Sequence, residues 1–199
     1  MLKLVALLGT ILPAAAGAGC PVLGDLRAGV TLVQNAPFFR RADFQITAQG
    51  LREIVQDDSN MRPRNTVAFH GHGLALLRRD AGGVSESIRY DGALGDLDRL
   101  EALGEVVLTG EASDGGPPRP VAIRLTHRGN QRVDLAECGY DVWRIRREET
   151  MPGGETMEWE QFFAPDLGLV LAEWLVAPDG KALLSYAYGW AGTADDVRR

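Results

Sequence analysis

Val121-Ala122-Ile123-Arg124-Leu125-Thr126 sets Val121, Ile123 and Leu125 on one side of an extended chain and Ala122, Arg124 and Thr126 on the other. Successive strand side chains point to opposite faces, so this period of two is the mark of a strand. A half-buried antiparallel strand shows it most clearly, with one face to the core and one to water. The same period recurs on both sides of the segment. Phe44, Ile46 and Ala48 alternate with Asp43, Gln45 and Thr47; near the C-terminus Ala182, Leu184, Tyr186, Tyr188 and Trp190 oppose Leu183, Ser185, Ala187 and Gly189. Turn-forming residues cut the runs short at Gln49-Gly50, Asp57 to Asn60, Gly82-Gly83, Asp114 to Gly116, Gly129-Asn130, Pro152 to Gly154 and Asp179-Gly180. Short strands between such turns make a hairpin meander. The expected fold is mainly β, a curved antiparallel sheet or half-barrel, with 20–199 as a single domain.

One stretch departs from the pattern. Leu94, Leu97, Leu100 and Leu103 recur every third residue. With Asp96 as N-cap and Gly104 as stop, the spacing predicts one short connecting helix or 3-10 turn over Asp96 to Leu103. Pro117-Pro118-Arg119-Pro120 forms a rigid entry to the next strand.

The chain opens with Lys3, nine apolar residues from Leu4 to Leu12, Pro13, and then small residues up to Gly19-Cys20. This is the layout of a secretory signal over residues 1–19, with small-x-small cleavage patterns at Ala14 to Ala16 and Ala16 to Ala18. Nine residues are too few to span a bilayer, which needs about 20. The expectation is a periplasmic or secreted protein without a transmembrane span. Hydrophobic residues at 45% and charged residues at 24% suffice for an ordinary core. Net charge is −6, and no basic run exceeds pairs such as Arg40-Arg41. Such a surface repels phosphate backbones, so nucleic acid is an unsuitable partner.

Cys20 and Cys138 are the two cysteines. In an oxidising compartment an even count suggests a bridge. Two alternatives stand beside it, a lipid anchor on Cys20 and a pair of free thiols. Bacterial lipoprotein signals usually carry an aliphatic residue where Gly17 stands, which counts against the lipid.

His70 and His72 lie two apart in Phe69-His70-Gly71-His72-Gly73, and on a strand both rings reach the same side. His127 extends the apolar face of Val121, Ile123 and Leu125. Three imidazoles with an open fourth position would be a catalytic zinc geometry, so His70, His72 and His127 define a metal-dependent hydrolase as the alternative reading. Against it, Gly71 and Gly73 also suit a bulge or a close backbone approach. Glu158 and Glu160 share a strand face, expected to be a solvated outer one. Neither a G-x-S-x-G elbow nor a Gly-rich phosphate loop occurs. All four tryptophans fall in the last third, and Trp143, Trp159, Trp174, Tyr186, Tyr188 and Trp190 are the candidate face for an apolar ligand.

Cys138-Gly139-Tyr140-Asp141-Val142-Trp143, then Gly154, then Phe162-Phe163-Ala164-Pro165-Asp166-Leu167-Gly168-Leu169-Val170 resembles a C-terminal pattern of exported bacterial proteins of unknown function. Mature chains of that group often begin Cys-Pro, as Cys20-Pro21 does here. The resemblance covers mainly Leu103 to Ala177, and the group is similar to the curved half-barrel proteins of bacterial envelopes, lipoprotein carriers among them. It implies an envelope location and favours Cys20 pairing with Cys138. It brings no catalytic residue and no cofactor. The function expected is therefore non-catalytic: binding a lipid or another apolar or amphipathic envelope ligand, or an envelope protein.

Overall fold

A computed structural model describes residues 19–58, 64–150, 156–194 and 196. The expected signal, apart from Gly19, lies outside the described residues, as does the Pro152 to Gly154 turn signal. Antiparallel strands make up most of the fold. They are β1 (Val30–Gln34), β2 (Arg40–Thr47), β3 (Gly50–Asp57), β4 (Arg64–His72), β5 (Ala75–Ala81) and β6 (Val84–Tyr90). After a helical connection come β7 (Glu105–Ser113), β8 (Arg119–Leu135), β9 (Cys138–Thr150) and β10 (Thr156–Ala164). The last three are β11 (Leu169–Val176), β12 (Ala182–Ala187) and β13 (Trp190–Thr193).

Among the described residues they form one sheet, in the order β12-β11-β10-β9-β8-β7-β6-β5-β4-β3-β2-β1-β13. From β1 to β12 this is a plain meander, the curved, unclosed antiparallel sheet that the alternating pattern predicts. The final step differs. β12 pairs with β11 and β13 pairs with β1, so the two ends of the sheet are consecutive in sequence. Between them the Tyr188 N–H donates to Leu171 O at 3.0 Å, and the Gly189 N–H to Val33 O at 2.9 Å. Where no strand carbonyl is available, the buried Gln34 side chain accepts from the Ala187 N–H at 2.5 Å. A buried backbone donor needs such a partner.

The sheet encloses two cores rather than one. Leu32, Phe44, Leu51, Val142, Phe162 and Leu171 belong to the first. Leu97, Ile123, Leu125, Trp143, Ile145 and Phe163 belong to the second. Neighbours in sequence are sent to opposite cores: Val142 and Trp143, Phe162 and Phe163, Leu169 and Val170. Both faces of β9 to β11 are covered there. Burial therefore runs unbroken from Gln161 to Ala164, where alternation predicts every second residue.

The connecting segment is a 3-10 turn, Gly95–Arg99, running into a single helical turn, α1 (Leu100–Leu103). Leu94, not Asp96, occupies the position before the turn, and Asp96 accepts from Arg99 instead. Leu97 and Leu100 are fully buried, as a three-residue period requires, whereas Leu103 is 47% exposed. A 3-10 helix repeats every 3.0 residues and an α-helix every 3.6, so the fourth leucine swings off the face. Gly129-Asn130 is a second departure. It does not turn the chain but lies within β8, at a bulge between His127 and Asn130 where Gly129 has φ 118°. The reversal comes at Ala136-Glu137, which carries no glycine.

Cys20 and Cys138 form a disulfide, with Cα atoms 5.3 Å apart and 118 positions between them in sequence. A sulfur in that bond has no valence for a lipid, which removes the anchored and free-thiol alternatives for this state. Residues after the bridge are pinned as well: Tyr140 Oη donates to Pro21 O at 3.0 Å and the Leu23 N–H to Asp166 O at 2.8 Å. The Ala164 to Leu169 stretch of the resemblance is thus a tight β10–β11 turn that also receives the N-terminal segment, with Leu167 fully buried.

Candidate functional site

Two arrangements stand out: a polar network inside the first core, and a pocket between the cores. The network follows from strand alternation. Arg40, Ala42 and Phe44 share one face of β2; Leu51, Glu53, Val55 and Asp57 share one face of β3. Charged side chains on these faces are carried inward with the core residues. Arg40 and Asp57 are direct partners in register, and Arg40 Nη1 lies 3.2 Å from Asp57 Oδ2. Its Nη2 is 3.8 Å from Glu53 Oε1. Its Nε donates to the Tyr188 hydroxyl at 3.1 Å, and its guanidinium carbon sits 4.5 Å above the centre of the Tyr186 ring. His70 on β4 completes the set, with Nε2 3.0 Å from Glu53 Oε2. Burial works against the Glu53 charge, but the His70 hydrogen bond, with His70 and Arg40 close by, holds its carboxyl below the usual range. Burial pushes the Tyr186 and Tyr188 hydroxyls up. No motif singles out Arg40, Glu53 and Asp57. Their signal in the sequence is a subtler one, charges at the core-facing positions of two adjacent strands.

The pocket is a cleft of about 350 Å³. Its walls come from elements far apart in sequence: Leu23 and Leu26 of the 3-10 turn Leu23–Arg27, Leu51 of β3, Trp143 of β9 and Phe163 of β10. Leu26 and Leu51 belong to the first core, Trp143 and Phe163 to the second, so the cleft marks the seam between them. Gly71, His72 and Gly73 form part of the lining, and Asp98 stands at the rim with its side chain 74% exposed. Gly73 is required here. A Cβ at that position would overlap the Gly168 carbonyl oxygen and stand 3.0 Å from the Phe163 ring.

His72 has a fixed tautomer. Its Nδ1 accepts from the Leu74 N–H at 3.1 Å, so in the neutral ring the proton sits on Nε2, which faces Asp98 Oδ1 at 3.4 Å. Burial pushes the imidazole pKa down, and Asp98 offsets this only in part. The ring also lies 5.3 Å from that of Phe163.

The three histidines therefore have three settings. His70 joins Glu53 in the first core, His72 lines the pocket, and His127 Nε2 is 2.8 Å from Asn130 Oδ1 with its ring edge-on to Trp143. Register shifts at Phe69/His70 and His70/His72 separate the first two, the bulge that Gly71 and Gly73 foreshadow. Among the described residues, no group of three His, Cys, Asp or Glu side chains is placed to hold a metal ion. Glu158 and Glu160 are not on a solvated outer face: they are half-buried on the same side of β10 as Phe162, Glu158 2.7 Å from Arg146 and Glu160 against Arg144.

The six aromatic candidates are likewise divided. Of these, only Trp143 lines the pocket. Trp159 lies under the Arg147 guanidinium at 5.8 Å, and Trp174 packs edge-on to Phe162 at 4.9 Å. The Tyr186 and Tyr188 rings meet at a tilt, 5.1 Å apart, within the polar network, and Trp190 covers Gly192. Leu23, Leu26, Leu51 and Phe163 complete the apolar wall without any sequence signal beyond hydrophobicity, because long-range folding alone brings them together.

No protein-family model matches the chain, and no curated protein matches it. Among solved structures, the crystal structure of the hypothetical lipoprotein YmcC from Escherichia coli K12 aligns with a TM-score of 0.47 at 9% identity. The alignment covers 77% of this chain and 80% of that one. A likeness of this size carries no argument about function. No helix among the described residues is long and apolar enough to cross a membrane.

Proposed function

We propose that the chain is an exported, non-catalytic binding protein of the bacterial envelope, taking a small apolar or amphipathic ligand into the cleft between its two cores. The observation that carries this reading is the cleft itself, about 350 Å³ with Leu26, Leu51, Trp143 and Phe163 as its walls. That size falls at the lower end of ligand pockets, and such pockets are mostly apolar with a few placed polar groups, here His72 and Asp98. The disulfide supports an oxidising compartment, and the Lys3 to Gly19 pattern supports export. Native mass spectrometry of the mature protein, purified without detergent, tests the reading together with titration by an environment-sensitive apolar dye. Saturable dye binding that Leu51→Trp abolishes by filling the cleft is the expected result. Dye binding unaffected by that variant, with no ligand co-purified, would overturn it.

A further inference from the structure

The cleft is polarised at its mouth. Of the described residues that line it, Asp98 alone carries a formal charge at neutral pH; no lysine or arginine is among them. The basic residue next in sequence, Arg99, is engaged elsewhere, donating to Asp96 at 2.5 Å. His72 contributes an imidazole whose burial disfavours its charged form. The same lining includes the rings of Trp143 and Phe163, 5.6 Å apart between centroids, with His72 between Phe163 (5.3 Å) and Asp98 (3.4 Å). Aromatic faces attract a cation through the ring quadrupole, most strongly where water is excluded. A carboxylate at the mouth and aromatic rings in the same lining favour positive charge and oppose negative charge.

We propose that the cleft selects amphipaths with a cationic head group, of the alkylammonium class, with Asp98 as counter-ion and the Trp143 and Phe163 rings as part of the wall. This rests on the proposed binding function and adds the head-group charge to it. An anionic amphipath such as a fatty acid would meet Asp98 with like charge and find no cationic partner in the lining.

The test is calorimetric titration of the whole mature protein with three octyl probes: octyltrimethylammonium, octanol and octanoate. Octyltrimethylammonium is expected to bind at least ten-fold tighter than octanoate, with octanol between them. Asp98→Asn should bring the two charged probes within about two-fold of each other, and Asp98→Lys should reverse their order. The exposure of the Asp98 side chain makes both variants compatible with folding. Octanoate binding as tightly as octyltrimethylammonium, or a cation preference that survives Asp98→Asn, would overturn the head-group assignment while octanol binding upheld the cleft. Failure of all three probes to bind would remove the cleft function and the head-group assignment together.

Discussion

Arg40 and Tyr188 are 148 positions apart in sequence, yet the Arg40 Nε donates to the Tyr188 hydroxyl at 3.1 Å. The contact ties β2, near the start of the sheet, to the segment that joins β12 with β13. It also places a guanidinium inside an apolar core, where Glu53 and Asp57 balance its charge. Removing one partner of a buried ion pair typically costs about 3–5 kcal/mol, because the remaining charge is stranded. Arg40→Met takes the guanidinium away from Glu53 and Asp57 together and leaves Glu53 with His70. Urea unfolding should show a loss of that order, and a loss below about 1 kcal/mol would mean that the network is not anchored by Arg40.

Acid should act on the same network. The Glu53 carboxyl is held below its ordinary value by the His70 hydrogen bond and the nearby charges of His70, Arg40 and Arg79, against the opposing effect of burial. Tyr186 and Tyr188, which face it, stay protonated throughout this range. Between the lowered folded value and the unfolded value of about 4.3, the unfolded chain binds more protons, so stability falls as pH falls. The contribution is complete above the unfolded value and disappears as pH drops through the folded one. Urea midpoints from about pH 6 to about pH 3 should decline more steeply for the parent than for Glu53→Gln. Parallel curves would rule out Glu53 as a source of acid sensitivity.

The disulfide holds both the fold and the cleft. A bridge spanning 118 positions restricts the unfolded chain strongly, by about 4–5 kcal/mol on a chain-entropy estimate. Replacing Cys20 and Cys138 together by serine should lower the unfolding free energy by that order. Because Leu23 and Leu26 form a cleft wall just after Cys20, the same variant should bind an apolar dye more weakly. Unchanged dye affinity in a destabilised but folded variant would show that the Leu23 and Asp166 backbone contact suffices to hold the wall.

Glycine substitutions separate close packing from mere flexibility. Gly73→Ala would drive a Cβ into the Gly168 carbonyl, a backbone group that cannot swing aside, so the chain must shift at the cleft floor. Gly24, on the cleft-wall turn, has open space where a Cβ would stand, with nothing within 4 Å, and alanine there should be neutral or mildly stabilising. Thermal melts should therefore show a large drop for Gly73→Ala and little change for Gly24→Ala. Equal effects would contradict the close approach at Gly73.

Much of this architecture is legible in the sequence where one strand face is wet. Val121, Ile123 and Leu125 are buried, as their alternation requires, because β8 has one covered face there. Legibility fails where a strand lies between two cores. At Gln161 to Ala164 both faces are buried, and the period of two carries no information about which way Phe162 and Phe163 point. Turn signals fail for a related reason: Gly129 supplies a backbone angle that serves a bulge as well as a turn, and the neighbours on β9 decide between them. The cleft is the least legible part. Leu26, Leu51 and Phe163 look like any core residue, and only the placement of the seam leaves them facing a void. The aromatic signal identifies Trp143 as a lining residue but joins it to five rings that the fold sends elsewhere.

The divided last strand has a consequence for biosynthesis. Residues 182–193 serve both ends of the sheet, so until they have been made β1 and β11 each present a row of unpaired backbone groups. A chain emerging N-terminus first must keep the β1 edge from neighbouring chains through nearly the whole of its synthesis, and the β11 edge joins it once residues 169–176 have been made. Completion is then a single late event that pairs both, with β12 and β13 becoming the outermost strands of the unclosed sheet. Loss of these few residues would expose two aggregation-prone edges at once, rather than trimming one tail.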